Sequence, residues 1–123
     1  MACYNLSDFL QACKRKHNVI VWKSARDRAH SDFGIWGEEE LLDFIGNNGL
    51  DNMILQNTRQ WDKNPFDATT ILIDAYEFEC FHKFGYLAFM YVPITSKWNI
   101  KSFKESDNAP PLRFRVLSGG LLT

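Results

Sequence analysis

Several features that mark whole classes of protein are missing from this chain. No apolar run reaches the ~18 residues that a membrane span needs, so no membrane association is expected. The opening residues, MACYNLSDFL, contain no basic segment followed by an apolar one. No secretory signal is therefore expected, and the location is read as cytoplasmic. Cysteine is sparse: Cys3, Cys13 and Cys80 are odd in number and widely spaced. None has metal-ligand spacing with another, nor with His17, His30 or His82, so the thiols are read as reduced and buried, and no metal site is expected. The chain also lacks G-x-x-x-x-G-K-[ST], a strand followed by G-x-G-x-x-G, H-E-x-x-H and Gly-x-Ser-x-Gly. Those absences exclude the known sequence devices for nucleotide triphosphates, dinucleotides, zinc and serine-elbow hydrolysis, and no cofactor is expected. There is no internal repeat and no linker, so residues 1–123 read as a single domain.

What is present is apolar and aromatic. Hydrophobic residues make up 46% and aromatics 15% of the 123 residues, enough to build a core and to exclude disorder. The net charge of −1 hides an asymmetry. Up to His82 there are eight Lys/Arg against thirteen Asp/Glu, a net of −5; from Lys83 onward there are six against two, a net of +4. A basic C-terminal part fits a local polyanion site. It equally fits lysines that keep exposed strand edges from pairing.

The richest stretch runs from Thr70 to Phe103. Thr70–Phe78, Tyr86–Val92 and Trp98–Phe103 are β-branched and aromatic runs separated by Glu79–Lys83 and Pro93–Lys97, the pattern of an antiparallel meander. In the first run Ile71, Ile73 and Ala75 alternate with Leu72, Tyr76 and Phe78, so both faces are apolar and a helical layer is expected on one of them. Upstream, Ser7 is read as the cap of a helix over Asp8–Arg15 and Val19–Trp22 as a short strand. Ser24 is read as the cap of a helix over Ala25–Asp32 that stops at Gly34. Glu38–Glu40 fill the first turn of a third helix, which ends at Gly46–Gly49; such an acidic start is most simply a solvated helix end. Leu50–Gln60 reads as a fourth helical piece and Trp61–Ala68 as a loop. Leu112–Leu117 alternates cleanly, with Arg113 and Arg115 on one side, and reads as a last strand. The fold class is thus α+β. A helical part, 6–60, is expected to pack on one face of a mainly antiparallel sheet, 70–117, followed by a flexible tail, 118–123.

The C-terminal part gathers Tyr86, Lys97, Lys101, Lys104, Arg113 and Arg115, with His82 in the preceding loop. Cations with a Tyr or His are what metal-free RNA cleavage needs. A base takes the proton of the ribose 2′-hydroxyl, a cation stabilises the charge gathering on phosphorus, and a donor protonates the leaving 5′-oxygen. A phenol ordinarily titrates near ~10, which ranks positioning above base catalysis for Tyr86. Tyr and Lys are also ordinary strand residues, so this set alone does not separate a catalytic face from a plain half-exposed one.

A family resemblance sharpens the reading. Leu6–Ser7, Ser24–Ala25 with Ala29, Gly34–Ile35, Asp74–Ala75–Tyr76, Tyr86–Leu87–Ala88–Phe89 and Ser102–Phe103–Lys104–Glu105 occur in the order seen in the MqsR family of toxins. The chain resembles that family over Leu6 to Glu105. The resemblance implies a RelE-like fold and an endoribonuclease held inactive by an antitoxin protein. It implies RNA as substrate, with Tyr86 and Lys104 on the positions of the family's active Tyr and Lys. The family's Gln falls on Ile73, which has no polar chemistry. The family's Lys after the third helix has no clean counterpart, Arg59 and Lys63 being close but off register. Catalysis is accordingly expected from Tyr86, Lys104 and His82, and RNA binding from Lys97, Lys101, Arg113 and Arg115. Two alternatives stay open. One is a non-catalytic interaction module or inhibitor, of phage or mobile-element type, that binds a host protein. The other is a nucleic-acid-binding regulator without cleavage.

Overall fold

A computed structural model describes residues 1–66 and 69–107 of the chain. The expected strand Leu112–Leu117, with Arg113 and Arg115, and the tail 118–123 lie outside the described residues, as does the end of the loop at Asp67–Ala68. The elements run α1 (Leu6–Arg15), β1 (Val19–Val21), α2 (Lys23–Phe33), α3 (Gly37–Gly46), β2 (Asp51–Gln60), β3 (Leu72–Cys80), β4 (Lys83–Val92) and β5 (Lys97–Glu105). The class is α+β, as expected. The five strands lie in the order β1-β5-β4-β3-β2.

The meander is present as β3, β4 and β5, paired antiparallel. The sheet as a whole is mixed, because β1 runs parallel to β5, with Val19 opposite Trp98 and Val21 opposite Ile100. Period-two alternation shows that a segment is a strand but not which distant strand it joins, so the parallel pairing has no local signature.

The larger correction is Leu50–Gln60, which is not helical. Asp51–Gln60 forms β2, antiparallel to β3. Its register shifts between Asp51 and Ile54 and again between Leu55 and Asn57. Met53 and Leu55 lie against the core with Ile54 exposed between them, but the shift after Leu55 changes the phase, so that Thr58 is the next half-buried residue and the alternation by which a strand is read is lost. The strand is also tied down by side chains. Asp74, fully buried on β3, accepts hydrogen bonds from Thr58 Oγ1 (2.6 Å), Cys3 N (3.0 Å) and Tyr4 N (2.9 Å).

Two caps differ from expectation. Asn5, not Ser7, caps α1, its Oδ1 accepting from Asp8 N at 3.1 Å. α2 begins one residue before Ser24, with Trp22 at the cap position and no side-chain cap. The Gly34 stop is present, in the left-handed conformation at φ 71° that suits glycine. Glu38–Glu40 open α3 as read, and Glu40 turns back to accept from Trp36 N at 2.7 Å. Cys13 and Cys80 are buried, burial pushing both thiols up to about 12, whereas Cys3 is exposed, against expectation.

Burial divides into two clusters. The first joins Phe9, Cys13, Ala25, Ala29, Phe33, Leu41 and Ile45 of the helices to Tyr76, Phe78, Leu87, Phe89, Ile100 and Phe103 of the sheet. It is aromatic at its centre: Phe9 and Phe89 stack with ring centroids 3.8 Å apart, and Phe78 and Phe103 at 5.2 Å. Gly85 belongs to this packing, since a Cβ there would stand 2.2 Å from the Phe78 ring. The second cluster uses the alternate strand positions, Ile71, Ile73, Ala75, Ala88, Met90 and Val92. It is edged by Tyr4, Trp22, Trp61, Phe66 and Tyr86.

Candidate nucleic-acid interface

The second cluster positions the polar chemistry. Directly opposed residues of neighbouring antiparallel strands share a face, with Cβ atoms about 5 Å apart. Glu77 on β3 opposes Tyr86 on β4, and Tyr86 opposes Lys104 on β5. A carboxylate, a phenol and an ammonium therefore stand in one row across three strands. Lys104 Nζ lies 5.6 Å from the centroid of the Tyr86 ring and 3.2 Å from Asp107 Oδ2. Glu77 is buried, and its Oε2 accepts from Ser106 Oγ at 2.7 Å. Beside the row is an open cleft of about 270 Å³, lined by Arg59, Tyr86, Ser102, Lys104, Ser106 and Asp107.

Arg59 reaches this cleft from β2, the outermost strand on that side among the described residues, where it opposes Ile73. It also lines a second cleft of about 520 Å³, with Trp22, Gln60, Trp61, Asp62, Lys63, Ile73 and Lys101. The two hollows thus share a cationic wall. Among the described residues Arg59, Lys63 and Lys101 make no ion pair, so their charge is available to an anion.

The expected site residues that are described separate into three groups. Tyr86 and Lys104 are brought together. Lys101 lines the neighbouring cleft, its ammonium 5.5 Å from the Trp22 ring centroid. His82 and Lys97 are apart from the row. His82 is exposed in the turn between β3 and β4, at φ 59°, four residues and about 13 Å of strand from Tyr86. Lys97 opens β5 opposite Val92 and lines neither cleft. Arg113 and Arg115 lie outside the described residues.

Sequence reasoning missed Arg59 as a site residue because its segment was read as helix. Read as a strand, the segment puts Arg59 beside Ile73, the position where the resemblance expects a polar Gln. Glu77 and Ser106 were missed as well. A carboxylate amid aromatic and β-branched residues, at the centre of a strand that is apolar on both faces, was the signal for Glu77.

The end of β5 is held from the helical side. Asp32 of α2 accepts from Glu105 N at 2.9 Å and pairs with Arg28 Nη2 at 3.0 Å. Partial burial works to raise the Asp32 carboxyl, but the Glu105 N–H and the Arg28 guanidinium outweigh it and hold the group below the usual range. Lys83 Nζ donates to the Asp32 backbone carbonyl as well. These bonds fix the backbone next to Lys104. No family model, curated protein or solved structure matches this chain.

Proposed function

We propose that the chain is a toxin-like, metal-independent endoribonuclease on a RelE-like scaffold, normally silenced by an antitoxin that covers the Tyr86–Lys104 face. The observation that supports it best is the Glu77–Tyr86–Lys104 row opening onto a cleft shared with Arg59. Cleavage of RNA by its own 2′-hydroxyl needs charge neutralisation and two proton transfers, and side chains here supply all three. Tyr86 orients the 2′-hydroxyl. The Ser106 hydroxyl accepts the 2′ proton as its own passes to Glu77, to which it is already hydrogen-bonded. The 2′-oxygen bonds to phosphorus and the bond from phosphorus to the 5′-oxygen breaks. Arg59 and Lys104 neutralise the charge on the phosphoryl oxygens, and the Lys104 ammonium gives a proton to the leaving 5′-oxygen. The products are a 2′,3′-cyclic phosphate and a 5′-hydroxyl.

The test is incubation of the purified protein with single-stranded RNA in the presence of a chelator. Wild type should cleave and leave cyclic-phosphate ends. Lys104→Ala and Arg59→Ala should each lower the rate about 100-fold or more, as loss of one charge-stabilising donor does. An inert wild type, or a Lys104→Ala protein as active as wild type, sinks the reading.

One observation favours a second reading, a protein-binding module. Trp36 is 70% exposed, packed on His30 with centroids 3.8 Å apart, beside the exposed Glu38–Glu40. A stoichiometric complex with a protein that is lost in Trp36→Ala, from a chain that cleaves no RNA, would select it.

A further inference from the structure

The larger cleft is not needed for the proton transfers above, yet it is built with care. Trp22 and Trp61 meet edge to face in its wall, centroids 6.0 Å apart at 63°. Trp22 is locked in orientation: its Nε1 donates to Asn99 Oδ1 at 3.0 Å, and Asn99 is buried and in turn donates to the Lys97 carbonyl at 3.3 Å. The main chain at Trp61 is held by its backbone N–H, which donates to Ile71 O at 2.8 Å, and by Asn64 N, which donates to the Trp61 carbonyl at 3.3 Å. The loop beyond is pinned through Asn64, whose Oδ1 accepts from Phe66 N and whose Nδ2 donates to Thr69 O. Ile73, 2% exposed, closes the floor. Around this aromatic hollow stand Arg59, Lys63 and Lys101, with Asp62 the one acid among the described residues that line it and Gln60 a neutral amide.

Preset aromatic faces flanked by cations suit a flat heteroaromatic ring carried on a polyanion, because every base has a π-face and its backbone is charged. A base within a duplex is already paired and stacked, so the fit is to a single strand. Lys101 and Lys104 lie three residues apart on β5, about 10 Å, and Arg59 walls both clefts. A strand whose phosphate sits at Lys104 can therefore turn its neighbouring base toward Trp61. We propose that the Trp22–Trp61 cleft is a nucleobase subsite that seats the base adjacent to the scissile phosphate of single-stranded RNA, an inference that rests on the ribonuclease reading for the position of that phosphate.

The experiment uses the full chain and an uncleavable probe, a 2′-O-methyl RNA oligonucleotide, against the same backbone carrying abasic positions. Tryptophan fluorescence and anisotropy are followed during titration. The base-bearing strand should quench fluorescence and bind about tenfold or more tightly than the abasic one. Trp61→Ala should abolish that difference, Trp61→Phe should keep most of it, and Lys104→Ala should weaken both strands alike. Equal affinity of wild type for the two strands overturns the subsite. So does a normally melting Trp61→Ala protein that keeps the base preference. Should Trp61→Ala fail to fold, the two strands on wild type decide alone. Cleavage of ordinary RNA with base-independent binding overturns the subsite and leaves the nuclease. Base-dependent binding without cleavage upholds the subsite and overturns the nuclease. Binding of neither strand overturns both, and a protein partner becomes the reading of this face.

Discussion

Phe89 and Met90 are neighbours on β4, both fully buried, and they serve opposite sides of the sheet. Phe89 stacks between Phe9 of α1 and Tyr76 of β3, with centroid distances of 3.8 and 5.9 Å. Met90 lies in the second cluster, whose sheet positions include Ala75 and Ala88. The difference is one of size. On the helix-lined side large rings fill the space between the layers. On the other side Ile71, Ile73, Met90 and Val92 join two alanines, with Trp22, Trp61 and Tyr86 at the margin. The two clefts open at that margin, one of them lined by Ile73, and Arg59, Lys101 and Lys104 place charge along them. One side is packed with rings and the other borders the candidate site, a contrast that mutation can test.

The largest effect is expected from Phe89→Ala. Its ring is wholly buried between two others, and truncation should cost about 3–5 kcal/mol in denaturant unfolding. Tyr86→Phe, three residues earlier and half-buried, should change stability by about 0.5 kcal/mol or less while impairing RNA cleavage. A stability loss in Tyr86→Phe comparable to that in Phe89→Ala would erase the distinction between the sides.

Asp74→Ala comes next. It leaves the N–H groups of Cys3 and Tyr4 without their acceptor, removes the shorter of two bonds from Thr58 Oγ1, which keeps Met1 O, and loosens β2, which carries Arg59. A loss of about 1–3 kcal/mol is expected. Hydrogen exchange should rise at the β2–β3 pairing and not at β4–β5; a uniform rise would show that β2 is not separately anchored.

The smallest effect is a pH dependence. The Asp32 carboxyl lies below its ordinary range in the folded chain, so ionised Asp32 favours folding. That contribution is complete above the unfolded value near ~3.9 and fades as pH falls through the lowered native value. Asp32→Asn should therefore flatten the acid limb of the melting temperature below about pH 4 and leave the neutral limb parallel to wild type. An unchanged acid limb would mean that the tie between α2 and the end of β5 contributes nothing.

Much of the fold was legible locally. The aromatic runs around Phe78, Phe89 and Phe103 announced strands, Gly34 announced a helix end, and the alternation of Ile71, Ile73 and Ala75 with Tyr76 and Phe78 announced two apolar faces. Of the candidate site, Tyr86 and Lys104 are singled out together by the family resemblance, and register places them opposite one another. Arg59 was not, because two irregularities in β2 scramble the period that would have identified a strand. The tryptophan cleft was not legible either. Trp22 follows β1 and Trp61 follows β2, and nothing near either residue says that the other will arrive.

By itself the amino-acid sequence determined where the three strands of the meander run and which of their side chains alternate, because those properties depend on neighbours one to four residues apart. The tertiary structure alone decided that β1 joins β5 in parallel, that β2 closes the opposite edge, and that Arg59, Lys104, Trp22 and Trp61 border adjoining hollows. Such meetings follow from closing long loops and matching register between distant segments, and no local pattern of residues encodes them.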